Sequence, residues 1–224
     1  MSICAIIPVK KLTESKSRLS QVLSADERAE LVAQFLRHEL EVLRQVAAIE
    51  EIVVVSSDLV ILALAQENGA TVLPEEQSEG INVAVTRAVA WAREEGGKTA
   101  VLILPVDLPF LHPDDITRLL AAYDDQRLVI SPDGRHEGTN ALLLPPLAAF
   151  TFHYGPHSLQ KHLAEAQMQQ LQPHIIPSPG LLFDVDTLDD WYAYQQHVAA
   201  TPILLNQNIR FFWPNFLGHY IREK

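Results

Sequence analysis

The chain has 224 residues, 48% of them hydrophobic, with 9 Gly, 14 Pro and a formal net charge of −11. This composition suits one folded domain with a full core rather than a disordered or collagen-like chain. The acidic balance argues against general nucleic-acid binding, which needs an excess of Lys and Arg, so any anionic ligand must meet a local basic cluster or a metal ion.

Residues 3–9 read as an apolar first strand holding Cys4, the single cysteine. One buried thiol leaves no disulfide framework or cysteine-rich zinc site. The N-terminus lacks signal-peptide features and no stretch of 18 uncharged apolar residues is available to span a bilayer, so a cytoplasmic protein without a membrane partner is expected. A basic loop follows, then a capping box at Ser24-Ala25-Asp26-Glu27 that opens a helix running to about Val46.

Val- and Ile-rich runs then alternate with stretches of helical period. Residues 52–55 read as a strand, 58–68 as a helix stopped by Asn68-Gly69, and 71–73 as a short strand. A helix over 81–95 precedes a strand over 100–106, and Pro113 suits the first turn of a helix over 113–123. Strands at 128–131 and 141–144 flank a polar loop, residues 157–169 are helical, and 181–186 reads as a final strand entering a helix near Thr187. The pattern is that of βαβ units: an α/β fold with a mainly parallel sheet. Residues 1–200 form one domain, and the aromatic segment 201–224 reads as a tail packed on the domain or on a second subunit, which makes a homodimer worth testing.

Three constellations carry chemistry. Lys10, Lys11, Lys16 and Arg18 concentrate positive charge directly after the first strand of an acidic protein, where cations would neutralise a triphosphate and a leaving pyrophosphate. The alternative is a solvated basic loop. Asp107 ends an apolar strand between Pro105 and Pro109, and strand alternation would set Asp184 and Asp186 on one face. The three supply the hard oxygen donors that suit Mg²⁺ bound with substrate phosphates, although Asp107 alone would also serve as a turn cap and Asp186 as a helix cap. Gly138-Thr139-Asn140 and Tyr154-Gly155-Pro156-His157-Ser158 place hydroxyls beside glycines, which suits a small phosphate or carboxylate. There is no Walker loop, no GxGxxG and no GxSxG around Ser158, which disfavours a P-loop, a dinucleotide site and a Ser158-His162 hydrolase.

Taken in order, Ile7-Pro8-Val9-Lys10, Lys16-Ser17-Arg18-Leu19, Gly80-Ile81-Asn82, Leu104-Pro105-Val106-Asp107-Leu108-Pro109, Gly138-Thr139-Asn140-Ala141-Leu142, Tyr154-Gly155 with Ser158 and His162, and Asp184-Val185-Asp186-Thr187 resemble the CofC/FbiD family. These are the 2-phospho-L-lactate and phosphoenolpyruvate guanylyltransferases of coenzyme F-420 biosynthesis. The resemblance implies a nucleotide-diphospho-sugar transferase-like (Rossmann-like) α/β fold, a mixed, mainly parallel sheet with helices on both faces, in which the Lys-Ser-Arg-Leu loop replaces the glycine-rich loop of related enzymes. It implies that Lys10, Lys16 and Arg18 hold the GTP phosphates and act with Asp107 in catalysis. Asn82, after Gly80 in the loop before a helix, is a candidate contact for guanine or ribose or, alternatively, serves the helix N-terminus. Asp107, Asp184 and Asp186 would hold Mg²⁺, and Thr139, Gly155 and Ser158 the phosphorylated three-carbon acid. The expected reaction joins phosphoenolpyruvate to GTP, giving enolpyruvoyl-2-diphospho-5'-guanosine and diphosphate. 2-Phospho-L-lactate and 3-phosphoglycerate are alternative acids, a cytidylyl- or sugar-nucleotide transferase is an alternative enzyme, and a non-catalytic nucleotide-binding module is the alternative of another class.

Overall fold

The apolar runs become seven strands of one sheet in the computed structural model, which describes residues 2–146 and 149–200. In chain order the elements are β1 (Ile3–Pro8), α1 (Ala25–Arg44), β2 (Ile49–Ser56), α2 (Leu59–Glu67), β3 (Thr71–Pro74), α3 (Ile81–Glu94), β4 (Ala100–Ile103) and α4 (Pro113–Ala121). They continue as β5 (Arg127–Pro132), β6 (Thr139–Leu144), α5 (Ser158–Met168), β7 (Gln172–Ile175) and α6 (Leu188–Ala200). The strand order is β3-β2-β1-β4-β6-β5-β7. Only β6 runs against its neighbours, β4 and β5; every other pairing is parallel.

The alternation of side chains along β1 divides the core. Ile3, Ala5 and Ile7 face α1, α2 and α4, whereas Cys4 and Ile6 face α3 and α5. Both sets are fully buried, and burial of each Ile contributes on the order of 1.5–3 kcal/mol, so this interior strand is a well-anchored base for the loops at its C-terminal edge. The Ser24 hydroxyl and Glu27 carboxylate cap the start of α1 reciprocally. A third cluster joins α6 to α1 through Phe35, Trp191 and Tyr194 and takes in Leu19 and Val185. That packing anchors the basic loop and the 184–186 segment to one surface.

Three sequence expectations change. The fourth strand stops at Ile103 rather than 106, because Pro105 and Pro109 lack the N–H groups a ladder needs; Asp107 therefore lies on a loop beyond the strand. Residues 181–186 form no strand: a 3₁₀ turn over Pro179–Leu181 leads into chain without regular secondary structure, whose neighbour is that same proline-bracketed loop. An additional edge strand, β7, is exposed along its whole length. Its sequence, Gln-Pro-His-Ile, has no apolar alternation, and Pro173 is tolerated because the strand lies at the sheet edge. The expected aromatic tail, residues 201–224, lies outside the described residues. No described helix is long and apolar enough to cross a membrane.

Candidate active site

Two loops that meet at the C-terminal end of β4 build the acidic half of the site. The Val185 N–H donates to the Asp107 carbonyl at 3.2 Å, tying the 184–186 segment across the Asp107 loop. Asn140 holds the same segment from the other side, donating through Nδ2 to the Leu181 carbonyl at 2.9 Å and to Asp184 Oδ1 at 3.4 Å. Asp190 accepts the N–H groups of Asp186 and Thr187 at 3.2 and 2.8 Å, and so holds the turn into α6. As a result one carboxylate oxygen from each of Asp107, Asp184 and Asp186 lies within 4.8 Å of the others, a convergence that arises without the expected strand.

Lys16 sits between two of these carboxylates, its Nζ 2.8 Å from Asp107 Oδ2 and 3.0 Å from Asp186 Oδ1. Its backbone is left-handed (φ 50°) at the entry to a 3₁₀ turn over Ser17–Leu19, which turns the side chain inward until only 7% of it is exposed. Burial alone would lower its pKa, but Asp107 and Asp186 reverse that effect and hold the ammonium above the ordinary Lys value. Burial pushes Asp184 up to about 7, helped by the charges of Asp107 and Asp186. Asp186 feels burial too, yet Lys16, Arg18 and Lys10 together draw it below the usual carboxylate range. Lys10 and Arg18 are exposed, so they act on Asp186 through the field while remaining open to a ligand.

One buried oxygen of the trio, Asp107 Oδ1, has no hydrogen-bond partner among the described residues. Three carboxylates against the single buried cation Lys16, with one oxygen unpaired, match what a hard divalent cation requires. Behind the loop lies a residue that sequence reasoning missed. Glu39, fully buried on α1, accepts the Leu108 N–H at 3.3 Å. Burial and the neighbouring Asp107 charge push its carboxyl well above the usual range. The available signal was an acid on the apolar face of α1, within the run Phe35, Leu36, Leu40 and Leu43.

The neutral half of the site is aimed by an irregularity in β6. Ser131 pairs with Ala141 and Pro132 with Thr139, leaving Asn140 as the extra residue of a bulge. A bulge breaks the alternation of side chains, so Asn140 reaches Asp184 while Thr139 bonds residues of α5. Ser158 Oγ lies 3.1 Å from Thr139 Oγ1, and His162 Nδ1 lies 3.1 Å from the same oxygen. Gly155 enters this turn at φ 122°, a conformation that L side chains rarely adopt, and its carbonyl accepts the Ser158 N–H at 3.1 Å. Asn82 braces the same loop: its Oδ1 accepts the Tyr154 N–H at 2.7 Å, and one Nδ2–H donates to the Tyr154 carbonyl at 3.2 Å.

Comparison with known proteins places the chain in a family. The model of the CofC-like guanylyl transferase family matches residues 3–201. A phosphoenolpyruvate guanylyltransferase of Rubrobacter xylanophilus is 40% identical over 85% of this chain and 92% of its own. A 2-phospho-L-lactate guanylyltransferase of Methanobrevibacter ruminantium is 30% identical over 89% of this chain and 87% of its own. A solved structure from Desulfovibrio desulfuricans, named for the nucleotide-diphospho-sugar transferases, superposes with a TM-score of 0.74 at 17% identity and covers 93% of both chains; at that identity it bears on the fold alone. The α/β sheet, the converging carboxylates and this relationship lead to one conclusion: the chain belongs to the CofC-like guanylyltransferase family and is an enzyme of the nucleotidyltransferase class.

Proposed function

We propose that the enzyme condenses phosphoenolpyruvate with GTP, releasing diphosphate, in coenzyme F-420 biosynthesis. The observation that carries this reading is the convergence of Asp107, Asp184 and Asp186 within 4.8 Å, with Lys16 between them. Phosphoenolpyruvate is favoured over 2-phospho-L-lactate by relatives: the Rubrobacter enzyme named for the former is 40% identical, against 30% for the Methanobrevibacter enzyme named for the latter.

In this reading an oxygen of the acid's phosphate attacks the α-phosphorus of GTP in line, and the bond to pyrophosphate breaks. A phosphate monoester is already largely ionised near neutral pH, so no strong general base is needed. Asp107, Asp184 and Asp186 would hold Mg²⁺, which when bound supplies charge neutralisation at the phosphates. Lys10 and Arg18, exposed beside Asp186, bind the triphosphate, and Lys16 adds a buried positive charge next to Asp107. Thr139, Gly155 and Ser158 orient the acid, and the remaining Asn82 N–H is available to the nucleotide. Alignment and charge neutralisation then carry the rate.

The reading places the enzyme in the cytoplasm with its nucleotide. A homodimer joined through residues 201–224 is a further expectation, checked by light scattering with and without that segment. The decisive test is pyrophosphate release from GTP, CTP or UTP paired with phosphoenolpyruvate, 2-phospho-L-lactate or 3-phosphoglycerate in Mg²⁺. Release with GTP and phosphoenolpyruvate at the highest kcat/KM is expected. Turnover of CTP or UTP but not GTP would overturn the nucleotide assignment, and no release with any acid would favour a binding module.

A further inference from the structure

His162 is fully buried and takes no part in the reaction outlined above. Its ring spans two partners with different demands. Nε2 lies 2.9 Å from the backbone N–H of His153, which can only donate, so Nε2 must present its lone pair. Burial, the neighbouring His153 and the weaker opposing charge of Glu165 leave the imidazole pKa lowered to about 4, so the ring is neutral at physiological pH. Its one proton is therefore on Nδ1 and donates to Thr139 Oγ1 at 3.1 Å.

That assignment fixes the protons of the next shell. Thr139 and Ser158 have two hydroxyl protons between them, and one is used in their mutual bond of 3.1 Å. Nδ1 is already a donor, so it cannot accept the second. No other described acceptor lies within hydrogen-bond distance of either hydroxyl. Thr139 and Ser158 are 5% and 2% exposed, so leaving this proton unpaired is costly, and a ligand oxygen would take it.

We propose that His162 is a positioning residue which, by keeping its proton on Nδ1, makes the Thr139–Ser158 pair an obligate hydrogen-bond donor to an anionic oxygen of the phospho-acid. The inference rests on the reading that this hydroxyl pair binds the acid. It states the chemistry the acid must bring: a carboxylate or phosphate oxygen that only accepts. An amide or ester of the acid at that oxygen would bind worse.

Two substitutions separate the two faces of the ring. His162→Asn keeps an amide donor near the Nδ1 position, whereas His162→Gln keeps an acceptor near Nε2 for the His153 N–H and loses the donor. The KM for the acid should rise up to about tenfold in His162→Gln, because Thr139 Oγ1 loses the donor that directs its hydroxyl proton outward and its hydrogen bond to a charged group is weakened, with the KM for GTP unmoved. His162→Asn should recover most of that loss although it breaks the His153 contact. If both variants change the KM of the acid equally, or change it only in step with their melting temperatures, the inference fails. The native protein gives a measurement that needs no variant: two-bond ¹H–¹⁵N NMR correlations should show the Nδ1–H tautomer of His162, and the Nε2–H tautomer would overturn the proposal. Thr139→Val tests the underlying reading separately. If it leaves the KM for the acid unchanged, that reading is wrong; if it raises the KM while His162→Gln matches His162→Asn, the reading stands and only the role of His162 is lost.

Discussion

The acidic and neutral halves of this site are adjacent through Thr139 and Asn140, yet they solve the problem of a buried polar cluster in opposite ways. Around Asp107 the charges are incompletely paired: an orphaned carboxylate oxygen, an Asp184 pushed up to about 7, and one buried lysine among three acids. Around Thr139 the groups are neutral and closely bonded, from the His153 N–H through His162 to both hydroxyls. The first half is held in tension that a cation relieves. The second is preorganised and leaves one proton for a ligand.

The largest contrast should come from removing charge in the acidic half. Asp107→Asn preserves shape and should lower kcat by at least about 10²–10³-fold, the scale of losing one preorganised charge contact in a transition state. Circular dichroism should show an unchanged fold, and near-normal turnover would remove Asp107 from the metal site. Lys16→Met should come next, because it leaves two carboxylates without their buried partner. Breaking a fully buried pair costs about 3–5 kcal/mol; the Asp186 side chain is 47% exposed, so about 2–3 kcal/mol is expected in urea denaturation. Added Mg²⁺ should stabilise this variant more than the parent, since a cation then enters a site freed of its internal competitor. Equal Mg²⁺ effects on both proteins would show that Lys16 and the metal do not share the acidic cluster.

The smallest effect distinguishes the halves by pH. His162 titrates near 6.5 unfolded and about 4 folded, so its contribution is complete above 6.5 and is lost as pH falls from 6.5 through 4. The shift is worth at most about 3 kcal/mol. Asp184 has the opposite sign: its folded pKa of about 7 exceeds the ordinary 3.8, so its contribution is complete below 3.8 and is lost as pH rises through 7. Between pH 4 and 7 the two components therefore oppose each other in the metal-free protein, with buried Glu39, whose carboxyl is also raised, adding to the Asp184 side. Mg²⁺ should suppress the Asp184 component and steepen the rise of stability with pH. A slope that Mg²⁺ leaves unchanged would separate Asp184 from the metal site.

Much of this organisation was readable locally. Asp107, Asp184 and Asp186 stand out as charges at the ends of apolar runs and Lys16 as one of a basic cluster after the first strand, and the helices announce themselves through Ser24, Asp58 and Pro113 at their starts. Glu39 did not, because helical periodicity marks its position as core without saying why an acid occupies it. β7 was missed because an exposed edge strand needs no apolar alternation, and the 181–186 segment read as a strand because its composition suits one while its neighbour offers no ladder. Asn82 is conspicuous in the sequence, but its bonds to Tyr154 depend on two segments 72 residues apart.

The sequence by itself determined the α/β class and the residue types able to bind phosphates and a hard cation, since side-chain period and chemical character are properties of short windows. Its motifs in order also pointed to the family. Only the tertiary structure decided that Lys16 would pair with Asp107 and Asp186, 91 and 170 residues away, and that a bulge would send Thr139 toward α5 and Asn140 toward Asp184. The tautomer of His162 likewise follows from a backbone N–H that folding brings to its ring. Charge pairing, desolvation and proton placement depend on distances of a few ångströms, and those distances exist only after the sheet has assembled.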